Sequence, residues 1–267
     1  MMNMILQTFS ELTPEAGTLA VCRLGQHSFL VKGGNTLIAI DPFLSEHPKR
    51  LIPALIKPEE FAGIDLILCT HDHSDHLDRP ALAAMAEASP NALFIVPEAI
   101  RNSISELPSD RMIGINDGEV LEIEDELSIR GIASAHEFLD KSEQGLYPYL
   151  GYIVTMNGTT FYHAGDCCIY EGLSALLKDA EPDLMMLPIN GRDAVRYAAG
   201  CIGCMTYQEA ADLAGWCWTK CVIPAHYDMF PGNTEDPKRF LDYMAVKYPQ
   251  IKTEKLDPGE IRLLRLK

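Results

Sequence analysis

The chain has 267 residues, of which 47% are apolar and 22% charged, a balance that suits a globular protein with a substantial core. Its 38 acidic against 22 basic residues give a formal charge of −16, a field that repels phosphate backbones and anionic lipid. Nucleic-acid and membrane-surface roles are thereby disfavoured, whereas a small anionic substrate stays compatible, because a bound metal reverses the local potential.

The opening, Met1 to Glu11, lacks the basic region and long apolar core of a secretory leader, and no apolar run is long enough to span a bilayer. Eight cysteines in that setting point to reduced thiols and a cytoplasmic address. Thr18–Leu24, Ser28–Lys32 and Asn35–Asp41 read as strands, with Gly33-Gly34 as a hairpin turn. Asp65–Thr70 is a short apolar run of the kind buried on both faces. A helix over Arg79–Ala88, a strand over Ala92–Val96 and a short helix over Glu98–Ser105 follow. Glu119–Ala133 alternates in part, and Asn157-Gly158 turns between strands at Tyr149–Met156 and Thr160–His163. Gly172–Lys178 reads as a helix and Asp183–Ile189 as a buried strand. Thr206 and Glu209 form a capping box for a helix reaching about Trp218. Val222–Ala225 is a last short strand and Pro237–Lys247 a last helix. No Pro/Gly/Ser-rich linker divides the chain, so residues 1–267 read as one domain, two facing sheets with helices on both outer faces.

The segment Cys69–Arg79 reads CTHDHSDHLDR, with four potential metal ligands, His71, His73, Asp75 and His76, in six residues just after a predicted strand. Imidazole and carboxylate together suit zinc, manganese or iron. His136, Asp166 and His226 each lie at the end of a strand-like run, GIASA, TFYHAG and CVIPA, where polar groups are exposed to a cleft.

This pattern, H-x-H-x-D-H followed by His, Asp and His at later strand ends, resembles the metallo-β-lactamase superfamily over nearly the whole chain. The resemblance implies an α+β fold, the four-layer αββα sandwich, with two divalent ions per chain, zinc or manganese. It puts His71, His73 and His136 on the first ion, Asp75, His76 and His226 on the second, and Asp166 between them. LGQHSFLVKGGNTLIAIDPFLS, THDHSDHLD, LPINGRD and VIPAHYDMF are most similar to the ascorbate-6-phosphate lactonase-like branch. The activity so implied is hydrolysis of a sugar lactone, with or without phosphate, by water activated at the metal pair. A phosphodiesterase of the N-acyl-phosphatidylethanolamine phospholipase D-like branch is the alternative.

Asp75 and Asp166 are then expected to act in catalysis as well as in ligation, with Tyr227, next to His226, stabilising an oxyanion. Asp72 and Asp78 are candidate acceptors for ligand imidazole N–H groups. His27 is expected to line the substrate side, while His163 reads as core. Asn190 and Arg192 fall in a long loop, and the guanidinium fork of Arg192 suits a phosphate on the substrate. Cys201, Cys204, Cys217 and Cys221 have spacings that invite a second metal site, although Cys217 and Cys221 fit an apolar core equally well. The partner is a small-molecule substrate, and assembly into a homo-oligomer is left open.

Overall fold

The computed structural model describes residues 3–267 of the chain. Its first sheet is built from β1 (Thr18–Gly25), β2 (Ser28–Gly33), β3 (Thr36–Ile40), β4 (Leu66–Leu68), β5 (Leu93–Pro97) and β6 (Met112–Ile115). The second holds β7 (Val120–Glu124), β8 (Leu127–Ala133), β9 (Leu150–Met156), β10 (Thr159–His163), β11 (Leu184–Pro188), β12 (Cys221–Ala225) and β13 (Lys252–Thr253). The chain then returns as β14 (Ile261–Arg265) to pair antiparallel with β1, so that each sheet has seven strands.

Most strands are apolar on both faces because both are covered. Between the sheets, Val21, Phe29, Val31, Ile38 and Ile40 meet Leu150, Tyr152, Val154, Phe161, Met186 and Ile223 in one buried cluster. Phe29 and Phe161 are fully buried there, each contributing about 1.5–3 kcal/mol of hydrophobic stabilisation. On the outer face of the first sheet, Leu6 and Phe9 of α1 (Met4–Glu11) and Leu82 and Met85 of α2 (Arg79–Ala88) pack over Ala20, Cys22, Ile67 and Phe94. The short α3 (Glu98–Arg101) adds Ile100 to the same cluster. The second sheet is covered by α4 (Leu173–Ala180), α6 (Tyr207–Cys217) and α7 (Pro237–Lys247), with α5 (Ala194–Ala198) in the connection before α6. The result is the expected αββα sandwich.

Several elements differ from the sequence reading. Glu119–Ala133 is two antiparallel strands, β7 and β8, turning at residues 125–126. The strand β7 lies at a sheet edge and keeps Glu122 and Glu124 exposed, so its alternation is weak. The predicted helix Glu98–Ser105 stops at Arg101. The elements α1, α5, β6, β13 and β14 carry little signal of their own; all are short, and the strands exist by adding to edges that other segments supply. Trp216 and Trp218 are exposed at the end of α6.

Strand direction decides where the site lies. The strands β1, β3, β4, β5 and β6 run one way in the first sheet, and β8, β10, β11, β12 and β13 share one direction in the second. The residues that follow their C-terminal ends meet at one rim of the sandwich, as in open α/β sheets generally.

Candidate metal centre

Six strand ends supply the cluster: β1 leads to Gln26 and His27, β3 to Asp41, β4 to the loop from His71 to Asp78, β8 to His136, β10 to Asp166 and β12 to His226. Four non-glycine residues at these ends have left-handed backbone, Gln26 (φ 50°), Asp41 (φ 46°), Glu137 (φ 71°) and His226 (φ 57°). Such conformations are unfavourable for residues with a Cβ and concentrate at functional sites. Gly165 (φ 59°) precedes Asp166; a Cβ there would meet the Leu150 carbonyl oxygen at 2.7 Å, so only glycine lets β10 turn Asp166 into the rim. The 71–78 loop is held by its own turn, His76 N and Leu77 N both donating to the His73 carbonyl (2.9 and 2.8 Å).

Four groups of close ligand atoms result among the described residues; two of them hold the expected ligands with Asp166 between them, and the others join Asp166 to His27 and His76 and to Cys204 and His226. His71, His73, His136 and Asp166 each bring an atom within 4.8 Å of the others, and Asp75, His76 and His226 form a second such group. In the first, His73 Nδ1 lies 3.1 Å from His71 Nε2 and 3.2 Å from His136 Nε2. In the second, Asp166 Oδ1 is 3.1 Å from His226 Nε2 and 3.3 Å from His76 Nε2, while Oδ2 faces His136 Nε2 at 3.7 Å. Asp75 Oδ2 completes it, 3.7 Å from His76 Nε2 and 3.8 Å from His226 Nε2.

The donor set fits divalent metal ions. Three imidazole nitrogens of the first group converge on one point, and two neutral rings cannot both donate to His73 Nδ1 while it serves as a lone-pair donor itself. Asp166 Oδ1 and His76 Nε2 are buried without a hydrogen-bond partner, which is costly unless a cation satisfies them.

The electrostatics divide the two groups. Burial pushes the pKa of His71 well below the usual imidazole value and that of His136 down to about 4, so both rings are neutral and ready to ligate. Burial also opposes charge on His76 and His226, but the carboxylates of Asp166 and Asp75 outweigh it and raise both. Asp166 is likewise penalised by burial, yet His226 and His76 hold its pKa well below the ordinary carboxylate range. In the absence of ions, protons on the second group balance the carboxylates.

Two supporting residues, Asp41 and Gln26, escaped the sequence reading, and a third, Cys204, was expected only in a separate cysteine site. Asp41 Oδ2 accepts from His76 Nδ1 and from Thr70 Oγ1, both at 2.7 Å, and its Oδ1 accepts from Thr70 N at 2.7 Å. This fixes His76 as the tautomer that offers Nε2 to the cluster. Gln26 Nε2 donates to Asp75 Oδ2 at 2.6 Å and lies 3.1 Å from His226 Nε2. Cys204, completely buried, forms a further group with Asp166 and His226. Asp41 could have been found by the rule that singled out His226, a polar residue ending a buried apolar strand; Gln26 carries no comparable signal, and the spacing of Cys204 from Cys201 pointed to a different site. Asp41→Asn should weaken metal affinity roughly 10–100-fold, measured by chelator competition, since the amide replaces one of the two oxygens that accept from these three donors with an NH₂ that can only donate. Unchanged affinity would show that His76 does not depend on Asp41.

Other expected roles are corrected by the structure. The acceptors proposed for imidazole N–H groups are engaged elsewhere: Asp72 pairs with Arg79 at 2.9 Å, and Asp78 accepts from Leu44 N, Ser45 N and Ser45 Oγ at 2.6–2.8 Å. His27 is fully buried, 3.9 Å from Asp166 and against the ring of His163, so it meets a ligand carboxylate rather than the substrate side. His163 is core as expected, its Nε2 donating to the His27 carbonyl at 2.9 Å. Asn190 is completely buried and donates to Asn233 Oδ1 at 2.9 Å, so it presents no open face to a substrate. The end-on fork of Arg192 is closed on Glu209 by two hydrogen bonds of 2.7 and 2.8 Å, which takes one of its two bidentate faces away from a phosphate. Tyr227 packs in the apolar cluster behind the second sheet with Arg23 over its ring at 4.7 Å; the left-handed turn at His226 sends the two neighbouring side chains apart. Among the described residues no metal-binding group contains two of Cys201, Cys204, Cys217 and Cys221.

The family described as the beta-lactamase superfamily domain matches residues 36–227, which span the whole ligand set. A UPF0173 metal-dependent hydrolase of Pyrococcus furiosus is 31% identical over 239 residues, covering 89% of this chain and 96% of that protein. Its counterpart in Thermococcus kodakarensis is 33% identical over 240 residues, with the same coverage. Among solved structures, a metallo hydrolase from Ignicoccus hospitalis, Igni18, superposes with a TM-score of 0.73 at 25% identity, covering 94% of this chain and 100% of that one. The chain therefore belongs to the beta-lactamase superfamily and, within it, to the UPF0173 metal-dependent hydrolases.

Proposed function

We propose that this chain hydrolyses a lactone or related carboxylic ester, preferring one without a phosphate, with two divalent ions, zinc or manganese, in the rim cluster. The observation that carries the reading is the position of Asp166, whose two oxygens face two separate groups of imidazole nitrogens. His71, His73 and His136 would hold one ion, and Asp75, His76 and His226 the other. Two such ions supply Lewis acidity and lower the pKa of a water towards neutrality.

The protein's own part is orientation and access. His73 is exposed and Asp75 half-buried, whereas the other five ligands are buried, so solvent and substrate approach from the His73–Asp75 side. Asp75, braced by Gln26, is placed to accept a hydrogen bond from the attacking water. Beside His136 lies a groove of about 260 Å³ lined by Glu137, Arg192, Asp193, Ala194 and Tyr197, a place for the body of the substrate. Both arginines of this loop are already paired with carboxylates, Arg192 with Glu209 and Arg196 with Asp193 Oδ2 (2.7 Å), and Arg196 also donates to the Asn190 carbonyl. Together with the charge of −16, this favours an uncharged lactone. A reducing, cytoplasmic setting belongs to the same reading, supported by eight cysteines that are all free thiols. Among the described residues no helix is long and apolar enough to cross a membrane.

Initial rates on sugar lactones with and without phosphate, an acyl-homoserine lactone and a phosphodiester test the proposal. Lactone turnover is expected, with the phosphorylated and plain sugar lactones affected alike by Arg192→Ala. Turnover of the phosphodiester alone would overturn the lactone reading.

A further inference from the structure

Cys204 lies between α5 and α6, and no role in the site was expected of it beyond its spacing from Cys201. Its Sγ, a carboxylate oxygen of Asp166 and a ring nitrogen of His226 all lie within 4.8 Å of one another. The thiol is completely buried, yet it is absent from the three apolar clusters that absorb Cys22, Cys69, Cys167, Cys217 and Cys221. Asp166 Oδ1, buried and without a hydrogen-bond partner, belongs to the same pocket of polar atoms.

The backbone around Cys204 is built to hold it there. Met205 N donates to the Cys167 carbonyl, beside Asp166, and Gly191 N donates to the Met205 carbonyl, each at 2.9 Å. Gly203 passes so close to the Gly191 carbonyl that a Cβ would collide with it. Arg192, whose fork is closed on Glu209, also donates to the Cys204 carbonyl at 2.9 Å. The pairing of Arg192 with Glu209 thus clamps the segment carrying the sulfur.

We propose that Cys204 is a further ligand of the second metal position, joining Asp75, His76, His226 and Asp166. This rests on the reading of the rim cluster as a metal centre. The sulfur binds as the thiolate, its proton passing to solvent as the sulfur–metal bond forms. A soft donor of this kind selects zinc or cobalt over manganese at the second position and leaves the first position, with its imidazoles, less selective.

Reconstitution of the metal-free chain with cobalt(II) tests the assignment by absorbance. The parent should show visible d–d bands together with a near-ultraviolet thiolate-to-cobalt charge-transfer band. Cys204→Ser should still take up cobalt and keep visible bands, but lose the charge-transfer band. Loaded parent protein without that band, or a band that persists in Cys204→Ser, overturns the proposal while leaving the metal centre intact. Failure of the parent to take up cobalt at all overturns the centre itself, and with it the role of Cys204. Cadmium NMR of the parent gives the same answer without a variant: a sulfur-ligated resonance supports the assignment, and resonances confined to the nitrogen and oxygen range overturn it.

Discussion

Asp166→Asn is expected to cost both metal positions at once. Its two oxygens face different groups, Oδ1 toward His76 and His226 and Oδ2 toward His136, so no other side chain can replace it in either. The amide is neutral and offers one acceptor oxygen, while its NH₂ would point at a cation or at imidazole nitrogens that must remain free. Loss of a ligand shared by both positions should exceed the roughly 10–100-fold effect of disturbing a residue behind the ligands. Metal analysis and initial rates on one preparation measure it. Two ions retained with an undiminished rate would show that Asp166 is not the bridge.

Chelation is the second large effect. Removing the ions should abolish hydrolysis and leave a less stable protein, because binding to the folded state alone stabilises it. At free metal a thousandfold above its dissociation constant that contribution is about 4 kcal/mol for one site. The sign with pH follows from the second group. The carboxylates hold His76 and His226 above the usual imidazole pKa, so metal binding there expels protons that the metal-free protein keeps. Apparent affinity should therefore rise with pH and fall as the medium is acidified. Thermal unfolding of holo and chelated protein across pH 6–8 measures both trends, with roughly these limits bracketing the ordinary imidazole value. Equal melting temperatures with full activity after chelation would remove the metal centre from the account.

Much of this site was legible in the primary structure, for a physical reason. His71, His73, Asp75 and His76 lie within one tight turn, so their convergence needs no knowledge of the fold. His136, Asp166 and His226 stand out because apolar strands end at them, and in a sandwich of parallel-running strands the C-terminal ends share a rim. The covered strands read as unbroken apolar runs, which is why the layers could be anticipated although the edge strands β6, β13 and β14 could not.

What only the tertiary structure decided is the direction and occupancy of individual side chains. Arg192 looked free because Glu209, which closes its fork, lies beyond α5 and at the start of the next helix. Tyr227 looked like a neighbour of the site because it adjoins His226, but the left-handed backbone at His226 turns it into the apolar layer behind. Asp72 and Asp78 looked like supports for the ligands, whereas Asp41, 35 residues before His76, holds that role. Sequence spacing constrains side chains only within a turn or along one strand or helix. Contacts such as Asp41 with His76, Gln26 with Asp75 and Cys204 with Asp166 join separate segments, and their partners are chosen by strand order and packing rather than by local pattern.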